Sequence, residues 1–108
     1  MIRIVATFCS LVLANLVLVN SVFANSFEVG QKDKSFTVKE LKIKVGDSVK
    51  FTNNDPFFHN VFSLSDAKLF DLGSYPQGES REVVFDQPGD VDVECAIHPN
   101  MQMKIHVE

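Results

Sequence analysis

The clearest regularity in the sequence is an alternation of apolar and polar side chains near the C-terminus. It runs through residues 91–95 (VDVEC) and again through residues 101–107 (MQMKIHV). Successive side chains of a β-strand point to opposite faces, so this period of two predicts two strands that each bury one face. Cys95 should then lie on the buried face of the first strand. Met103 should lie inward on the second strand, and His106 should point outward to the surface.

Shorter segments of the same kind precede these two, and residues typical of turns separate them. The segments are rich in side chains that favour strands and span residues 27–29, 36–38, 41–45, 49–52, 59–64 and 81–85. Segments 41–45 and 49–52 are predicted to be neighbouring strands, because only a tight turn separates them. Residues 65–80 contain Gly and Pro and show no clear period, so a long loop or irregular edge is predicted there. No segment shows a sustained helical period, and the chain is therefore predicted to form an all-β domain, an antiparallel sandwich or barrel of about seven strands.

The N-terminus has the pattern of a cleaved signal peptide. Arg3 precedes an apolar run, and small residues end at Ala24, where cleavage is predicted. The alternative is a membrane anchor, but Asn15 and Asn20 interrupt the run, which falls short of the ~20 apolar residues that a spanning helix needs. We therefore expect residues 1–24 to be the signal peptide and residues 25–108 to be one small exported domain, with no membrane association after cleavage.

The net charge and the number of cysteines exclude some classes of function for this chain. The formal net charge of the chain is −4, and loss of Arg3 with the signal peptide makes the mature domain more acidic. This charge argues against nucleic acid as a partner and favours a basic protein surface. Cys95 is the one cysteine left after cleavage, in a compartment where thiols normally form disulfides. It is therefore expected to be either an inert buried thiol or a metal ligand.

The stretch CAIHPNM, residues 95–101, places a thiolate, an imidazole and a thioether close together in Cys95, His98 and Met101. His59, at the start of a predicted strand, can supply one more ligand. Two His and one Cys in a plane, with a weak axial Met, form the ligand set of an electron-transfer copper site. Zinc is less well matched, since zinc sites make little use of thioether ligands. Met103 competes with Met101 for the axial place, and Met101 is favoured because it lies in the loop before the last strand.

Each of these residues also has a purely structural interpretation. A lone Cys is often a small core residue, a lone His is often hydrogen-bonded, and Met often fills gaps in a core. The metal interpretation depends on their combination in one exported chain. Next to His59, the Asn60 amide could tie its strand to the Cys95 loop. Phe57, Phe58 and Pro99 could form an apolar rim for a docking partner, although core packing explains the two Phe residues equally well.

Two motifs together resemble a known family. Phe58-His59-Asn60-Val61 and the stretch 95–101, with the Pro88-Gly89 turn before the cysteine strand, are similar to the cupredoxins of the plastocyanin and amicyanin type. The resemblance extends from Leu41 to Val107, and the spacing of the last three ligands is that of the amicyanin type. Val93 stands where this family commonly has an aromatic residue, and the mature chain is shorter than those of both named types.

The resemblance implies a Greek-key β-sandwich with one type 1 copper ion. His59, Cys95 and His98 would be the equatorial ligands and Met101 the axial one. It also implies a monomeric one-electron carrier in the periplasm, exchanging electrons through the exposed edge of His98 with redox proteins such as a c-type cytochrome or a dehydrogenase. The main alternative is a periplasmic protein that captures or delivers copper, and an enzyme is not expected, because His106 alone cannot build a second metal site.

Overall fold

The computed structural model of the chain describes residues 23–108. The predicted signal peptide therefore lies almost entirely outside the described residues. Within them the chain forms nine strands: β1 Ser26–Lys32, β2 Ser35–Phe36, β3 Glu40–Ile43, β4 Ser48–Asn53, β5 His59–Ser65, β6 Lys68–Tyr75, β7 Ser80–Val84, β8 Gly89–Glu94 and β9 Gln102–Val107. No helix in this part of the chain is long and apolar enough to cross a membrane.

The strands form two sheets that enclose one core. The first sheet has the order β2-β1-β4-β7 and the second the order β3-β9-β8-β5-β6. Strand pairs β1–β4 and β3–β9 are parallel, and the other pairs are antiparallel. The all-β sandwich predicted from the sequence is thus confirmed, with two more strands than the approximate number expected.

The prediction of a loop or irregular edge over residues 65–80 is wrong for most of that segment. Strand β6 occupies it from Lys68 to Tyr75 and forms the outer edge of the second sheet, paired with β5. Most side chains of β6 are only partly buried or exposed. An edge strand of this kind has no fully buried face, and its sequence therefore lacks the strong alternation by which the other strands were recognised.

The prediction that segments 41–45 and 49–52 are neighbouring strands is also wrong. Strand β3 pairs with β9 in the second sheet, whereas β4 pairs with β1 and β7 in the first. The turn between them crosses from one layer to the other at Gly46, whose φ of +99° an L-residue side chain rarely allows. Alternation shows that a strand has a buried face, but it does not identify the neighbouring strand.

The core lies between the inner faces of the two sheets. Apolar side chains from both sheets are buried there: Val29, Phe36, Ile43, Val49, Phe51, Val61, Tyr75, Val83, Phe85, Val91, Val93, Cys95, Met101, Met103, Ile105 and Val107. The predicted inward positions of β8 and β9 are therefore confirmed. The Phe51 ring packs against Phe36 in this core and against the partly buried Phe70. The ring centroids are 6.3 Å apart in each pair, within the range of favourable aromatic packing.

Three adjacent strands of the second sheet bring the chemically distinctive residues to one end of the sandwich. His59 is the first residue of β5, Cys95 follows the last residue of β8, and Met101 precedes the first residue of β9. Because β8 lies between β5 and β9, the ends of these strands place the three residues next to one another.

Candidate metal centre

The Cys95 thiol lies inside the protein and forms no disulfide. It follows Val91 and Val93 on the inner side of β8 and is 1% exposed. Alternation along β8 thus continues for one residue past the end of the strand, which turns the thiol inward beneath the loop 96–100. A sulfur atom in this position is shielded from solvent oxidants and is available to a buried ion.

Two imidazoles flank the thiol at equal distances. Nδ1 of His59 and Nδ1 of His98 each lie 3.9 Å from Sγ of Cys95, and one ligand atom from each of the three residues lies within 4.8 Å of the others. In a trigonal plane, metal–nitrogen bonds of about 2.0 Å and metal–sulfur bonds of about 2.3 Å would separate sulfur from nitrogen by roughly 3.7 Å. These three side chains therefore fit a metal ion held in a trigonal plane.

The loop between β8 and β9 is closed by its own backbone. The N–H of Met101 donates to the carbonyl of His98 over 2.8 Å, and the N–H of Cys95 donates to the carbonyl of Met101 over 3.3 Å. The first bond makes a tight turn that brings His98 back over Cys95. The second bond extends the β8–β9 ladder by one pair of residues.

This extra pair of residues distinguishes between Met101 and Met103, the two candidates for the axial ligand. Val93 is paired with Met103, and Glu94 with Gln102, so Met101 lies opposite Cys95. Met101 is fully buried. Met103 lies two residues further along β9, where it packs in the core. The pairing favours Met101 over Met103 as the thioether near the thiol.

Asp55 is a buried carboxylate that contacts His59 on the side away from the thiol. Its Oδ2 lies 2.7 Å from Nε2 of His59, and its two oxygens accept the backbone N–H groups of Asp33 and Lys34 over 2.7 and 3.0 Å. Burial raises the pKa of Asp55, but the hydrogen bonds from the Lys34 backbone, the His59 ring and the Asp33 backbone outweigh this effect and hold the pKa below its ordinary value. The carboxylate is therefore ionised and can only accept, so Nε2 of His59 donates the proton and Nδ1 keeps its lone pair toward Cys95.

The sequence alone does not single out Asp55, because it belongs to the cluster Asn53-Asn54-Asp55-Pro56, which is typical of a turn. The available signal was an acidic residue four positions before a candidate ligand histidine. Asn53 has a related role in this turn, since its Nδ2 donates to the carbonyls of Phe57 and Tyr75 over 2.8 and 2.9 Å. These bonds fix the segment that leads into β5.

The predicted tie between Asn60 and the Cys95 loop is present. Oδ1 of Asn60 accepts the backbone N–H of Ala96 over 2.7 Å. The amide therefore joins the residue after His59 to the residue after Cys95, beyond the point where β5 and β8 are paired at Phe62 and Glu94. This bond fixes the separation of the two candidate ligands.

The His98 ring lies near the surface at this end of the sandwich. Burial, the neighbouring His59 and the Lys34 ammonium all lower the pKa of His98, which favours the neutral imidazole that a metal ion requires. The Phe57 ring contacts both imidazoles, with centroids 5.3 Å from His59 and 5.5 Å from His98. Phe58 is 54% exposed, so of the two Phe residues it is the one that contributes to a surface rim.

His106 lies outside this cluster, as predicted. Its Nδ1 is 2.7 Å from the Asp90 carboxylate and its Nε2 is 3.2 Å from the Glu40 carboxylate. Both ring nitrogens therefore contact carboxylates at the surface. Among residues 23–108, His59, Cys95 and His98 form the one group of three side chains spaced for a metal ion.

Comparison with known proteins agrees with this geometry. The family model described as copper binding proteins of the plastocyanin/azurin family matches residues 23–108. The methylamine utilization protein MauL of Methylorubrum extorquens is 32% identical over 85 residues, covering 78% of this chain and 75% of that protein. Amicyanin-alpha of the same organism is 34% identical over 88 residues, covering 79% of this chain and 74% of the relative. A chloroplastic plastocyanin of Physcomitrium patens is 33% identical over 102 residues.

Solved structures show the same fold. An amicyanin variant in its Cu(I) form superposes with a TM-score of 0.72 at 26% identity, covering 81% of this chain and 86% of that one. A copper-containing nitrite reductase from Thermus scotoductus superposes with a TM-score of 0.73 at 28% identity, but this chain covers only 26% of it. The likeness to the reductase is therefore that of one domain in a larger protein.

Proposed function

Because the chain belongs to the plastocyanin/azurin family of copper-binding proteins, we propose that it is an exported one-electron carrier whose copper is held by His59, Cys95, His98 and Met101. The cofactor is copper, which supplies the Cu(II)/Cu(I) couple when bound. The observation that carries the proposal is the placement of two imidazole Nδ1 atoms, each 3.9 Å from the buried Cys95 sulfur.

The side chains around the site suit an electron carrier. A thiolate and a thioether are soft ligands that tolerate Cu(I), whereas imidazoles are acceptable to both oxidation states. His59 and Cys95 are buried and fixed by hydrogen bonds to neighbouring residues. Such a preformed set of ligands changes little between oxidation states, and His98 near the surface gives a short path for the electron to a docked partner.

We propose a periplasmic location, with residues 1–24 as the cleaved signal peptide and residues 25–108 as a monomeric domain. The pattern of Arg3, the apolar run and Ala24 supports export. Similarity to a methylamine utilization protein and to an amicyanin supports a redox partner such as a dehydrogenase or a c-type cytochrome.

A protein that captures or delivers copper is the alternative. Exchange of copper between proteins favours exposed ligands that a second protein can reach. Cys95 is 1% exposed, and His59 and Met101 are fully buried, so three of the four proposed ligands are closed to such exchange. This burial favours the electron carrier.

The test is to express the full-length chain, purify the exported protein, add one equivalent of Cu(II) and record the visible spectrum. We expect an intense blue band from the thiolate–copper bond, and we expect Cys95→Ser to abolish it. Reversible one-electron voltammetry of the blue protein would then support the carrier function. A pale product from which a chelator rapidly removes copper would contradict the proposal and favour copper handling.

A further inference from the structure

We propose that Asp55 is a positioning residue of the copper site, whose buried negative charge fixes the His59 ring and lowers the reduction potential of the bound copper. This inference rests on the proposed role of His59 as a copper ligand. Asp55 itself touches neither the thiol nor the expected position of the metal, and it acts only through the imidazole.

The geometry of Asp55 determines how His59 can bind a metal. Oδ2 of Asp55 lies 2.7 Å from Nε2 of His59, and the side chains of the two residues are 2% and 0% exposed. Both oxygens of Asp55 accept backbone N–H groups, from Asp33 and Lys34, and the carboxylate is placed as an acceptor toward His59 as well, so the imidazole donates from Nε2. The other nitrogen, Nδ1, therefore presents its lone pair 3.9 Å from Cys95 Sγ. A hydrogen bond of this kind fixes the tautomer and orientation of a ligand histidine and raises its basicity.

The same carboxylate holds a strained turn against the site. Asp33 and Lys34, between β1 and β2, have φ values of +55° and +57°, a conformation that non-Gly residues seldom adopt. Their two backbone N–H groups both point to the Asp55 oxygens. Asp55 thus receives three hydrogen bonds, which keep it in place although no lysine or arginine within residues 23–108 is paired with it.

A second buried aspartate, Asp47, makes it possible to distinguish the stabilising effect of a buried carboxylate from its proposed effect on the copper site. Asp47 is 3% exposed and accepts the backbone N–H groups of Asn25 and Lys44, each over 2.8 Å. It stabilises the turn between β3 and β4 much as Asp55 stabilises the turn between β1 and β2. Asp47, however, has no histidine partner in the described part of the chain, so it is a matched control for the loss of a buried carboxylate.

The charge argument gives the direction of the effect. The copper site carries one more positive charge as Cu(II) than as Cu(I), and a nearby negative charge stabilises the more positive state. Burial weakens dielectric screening between Asp55 and the site. Removal of this charge should therefore favour Cu(I) and raise the potential.

The experiment compares the copper-loaded wild-type protein with the Asp55→Asn and Asp47→Asn variants. Asn keeps the size of Asp but has one acceptor oxygen and no charge, so both variants should lose stability. We expect Asp55→Asn alone to shift the Cu(II)/Cu(I) ratio at a fixed applied potential at least tenfold toward Cu(I), which corresponds to an upward shift of about 59 mV. An unchanged potential in Asp55→Asn, or equal shifts in the two variants, would overturn the proposal.

A second measurement uses the wild-type protein and does not depend on a variant that folds. Nitrogen-15 NMR of the metal-free protein should show His59 protonated at Nε2, with that proton protected from exchange. Protonation at Nδ1 would overturn the proposed positioning role. If the wild-type protein lacks the blue band but shows the Nε2 tautomer, the proposed electron-carrier function fails while the effect of Asp55 on His59 stands.

Discussion

Asn60 accepts the backbone N–H of Ala96 over 2.7 Å through its side-chain Oδ1. The two residues follow His59 and Cys95 directly in the sequence. This one bond therefore links two segments of chain that each carry a proposed copper ligand. It also gives the backbone N–H of Ala96, in the loop between β8 and β9, a hydrogen-bond partner.

We expect Asn60→Ala to weaken copper binding about 10- to 100-fold, which is typical for loss of a side chain that orients ligands. Loss of this hydrogen bond should lower the free energy of unfolding by about 0.5–1.5 kcal/mol, because Ala96 is exposed and water can satisfy its N–H. Competition with a copper chelator and urea unfolding measure the two effects. Asn60→Asp keeps an acceptor oxygen and is the control, and equal weakening in both variants would argue against the role of this hydrogen bond.

The pairing of Met101 with Cys95 leads to a prediction about the axial ligand. Met101→Leu should shift the blue band and raise the reduction potential by on the order of 59 mV, a tenfold change in the equilibrium, because loss of the thioether donor disfavours Cu(II). Met103→Leu is a volume-conserving change in the core and should cost less than about 1.5 kcal/mol without altering the spectrum. The reverse pattern would assign Met103 as the axial ligand.

The buried pair of Tyr75 and Gln31 should contribute to stability and not to copper chemistry. The Tyr75 hydroxyl donates to Oε1 of Gln31 over 2.9 Å, and burial raises the pKa of Tyr75. Nε2 of Gln31 has no hydrogen-bond partner among the described residues. We expect Tyr75→Phe to destabilise the protein by about 1–3 kcal/mol, because Oε1 also loses its partner.

The matched variant for this pair is Tyr75→Phe combined with Gln31→Met. Replacement of both polar partners by apolar groups is often nearly neutral, so the double variant should recover much of the lost free energy of unfolding. Urea unfolding of the copper-free proteins measures the difference. A double variant that is less stable than Tyr75→Phe would show that the Gln31 amide has favourable contacts of its own.

His106 should make stability depend on pH. Hydrogen bonds to Asp90 and then to Glu40 raise the pKa of His106 above its usual value of 6.5. The folded protein therefore binds the proton more tightly than the unfolded chain, and the resulting stabilisation is complete below the unfolded pKa and lost as the pH rises through the folded pKa. At pH values below the pKa of His106 in the unfolded chain, we expect His106→Gln to be less stable than wild type. At alkaline pH the two proteins should have nearly the same free energy of unfolding.

Urea unfolding of metal-free wild-type and His106→Gln proteins across this pH range checks the prediction. Titrating groups away from His106, such as His98, contribute equally to both proteins and cancel in the difference, whereas Asp90 and Glu40 belong to the interaction that the comparison measures. Lys42 on strand β3 lies beside His106 in the register of the sheet. It is present in wild type and in the variant. A difference in stability that does not change with pH would show that the ion pairs of His106 have no net effect.

Sequence reasoning identified the all-β class, the inward faces of β8 and β9, and the residues that meet at the candidate site. These features are encoded locally. Alternation over residues 91–95 and 101–107 sets which side chains point inward, and the short spacing from Cys95 to Met101 leaves little freedom in where the loop can place His98. His59 was identified by chemistry, because the proposed ligand set was incomplete without it.

Features that depend on which distant segments pair were not predicted correctly. Strand β6 was expected to be irregular, because an edge strand without a buried face has no strong alternation. Strands β3 and β4 were expected to be neighbours, yet they lie in different sheets. The physical reason in the second case is that the neighbour of a strand is selected by the packing of the whole sandwich and not by the sequence of that strand.

By itself, the sequence determined the kind of fold, the cofactor chemistry and four candidate ligands, because these follow from side-chain type and local spacing. Only the tertiary structure showed that Asp55 joins His59 to the turn at Asp33 and Lys34. In the sequence Asp55 is an ordinary turn residue. Its importance comes from burial, since a carboxylate surrounded by protein must accept hydrogen bonds from whatever donors the fold brings to it, and here one of those donors is a proposed copper ligand.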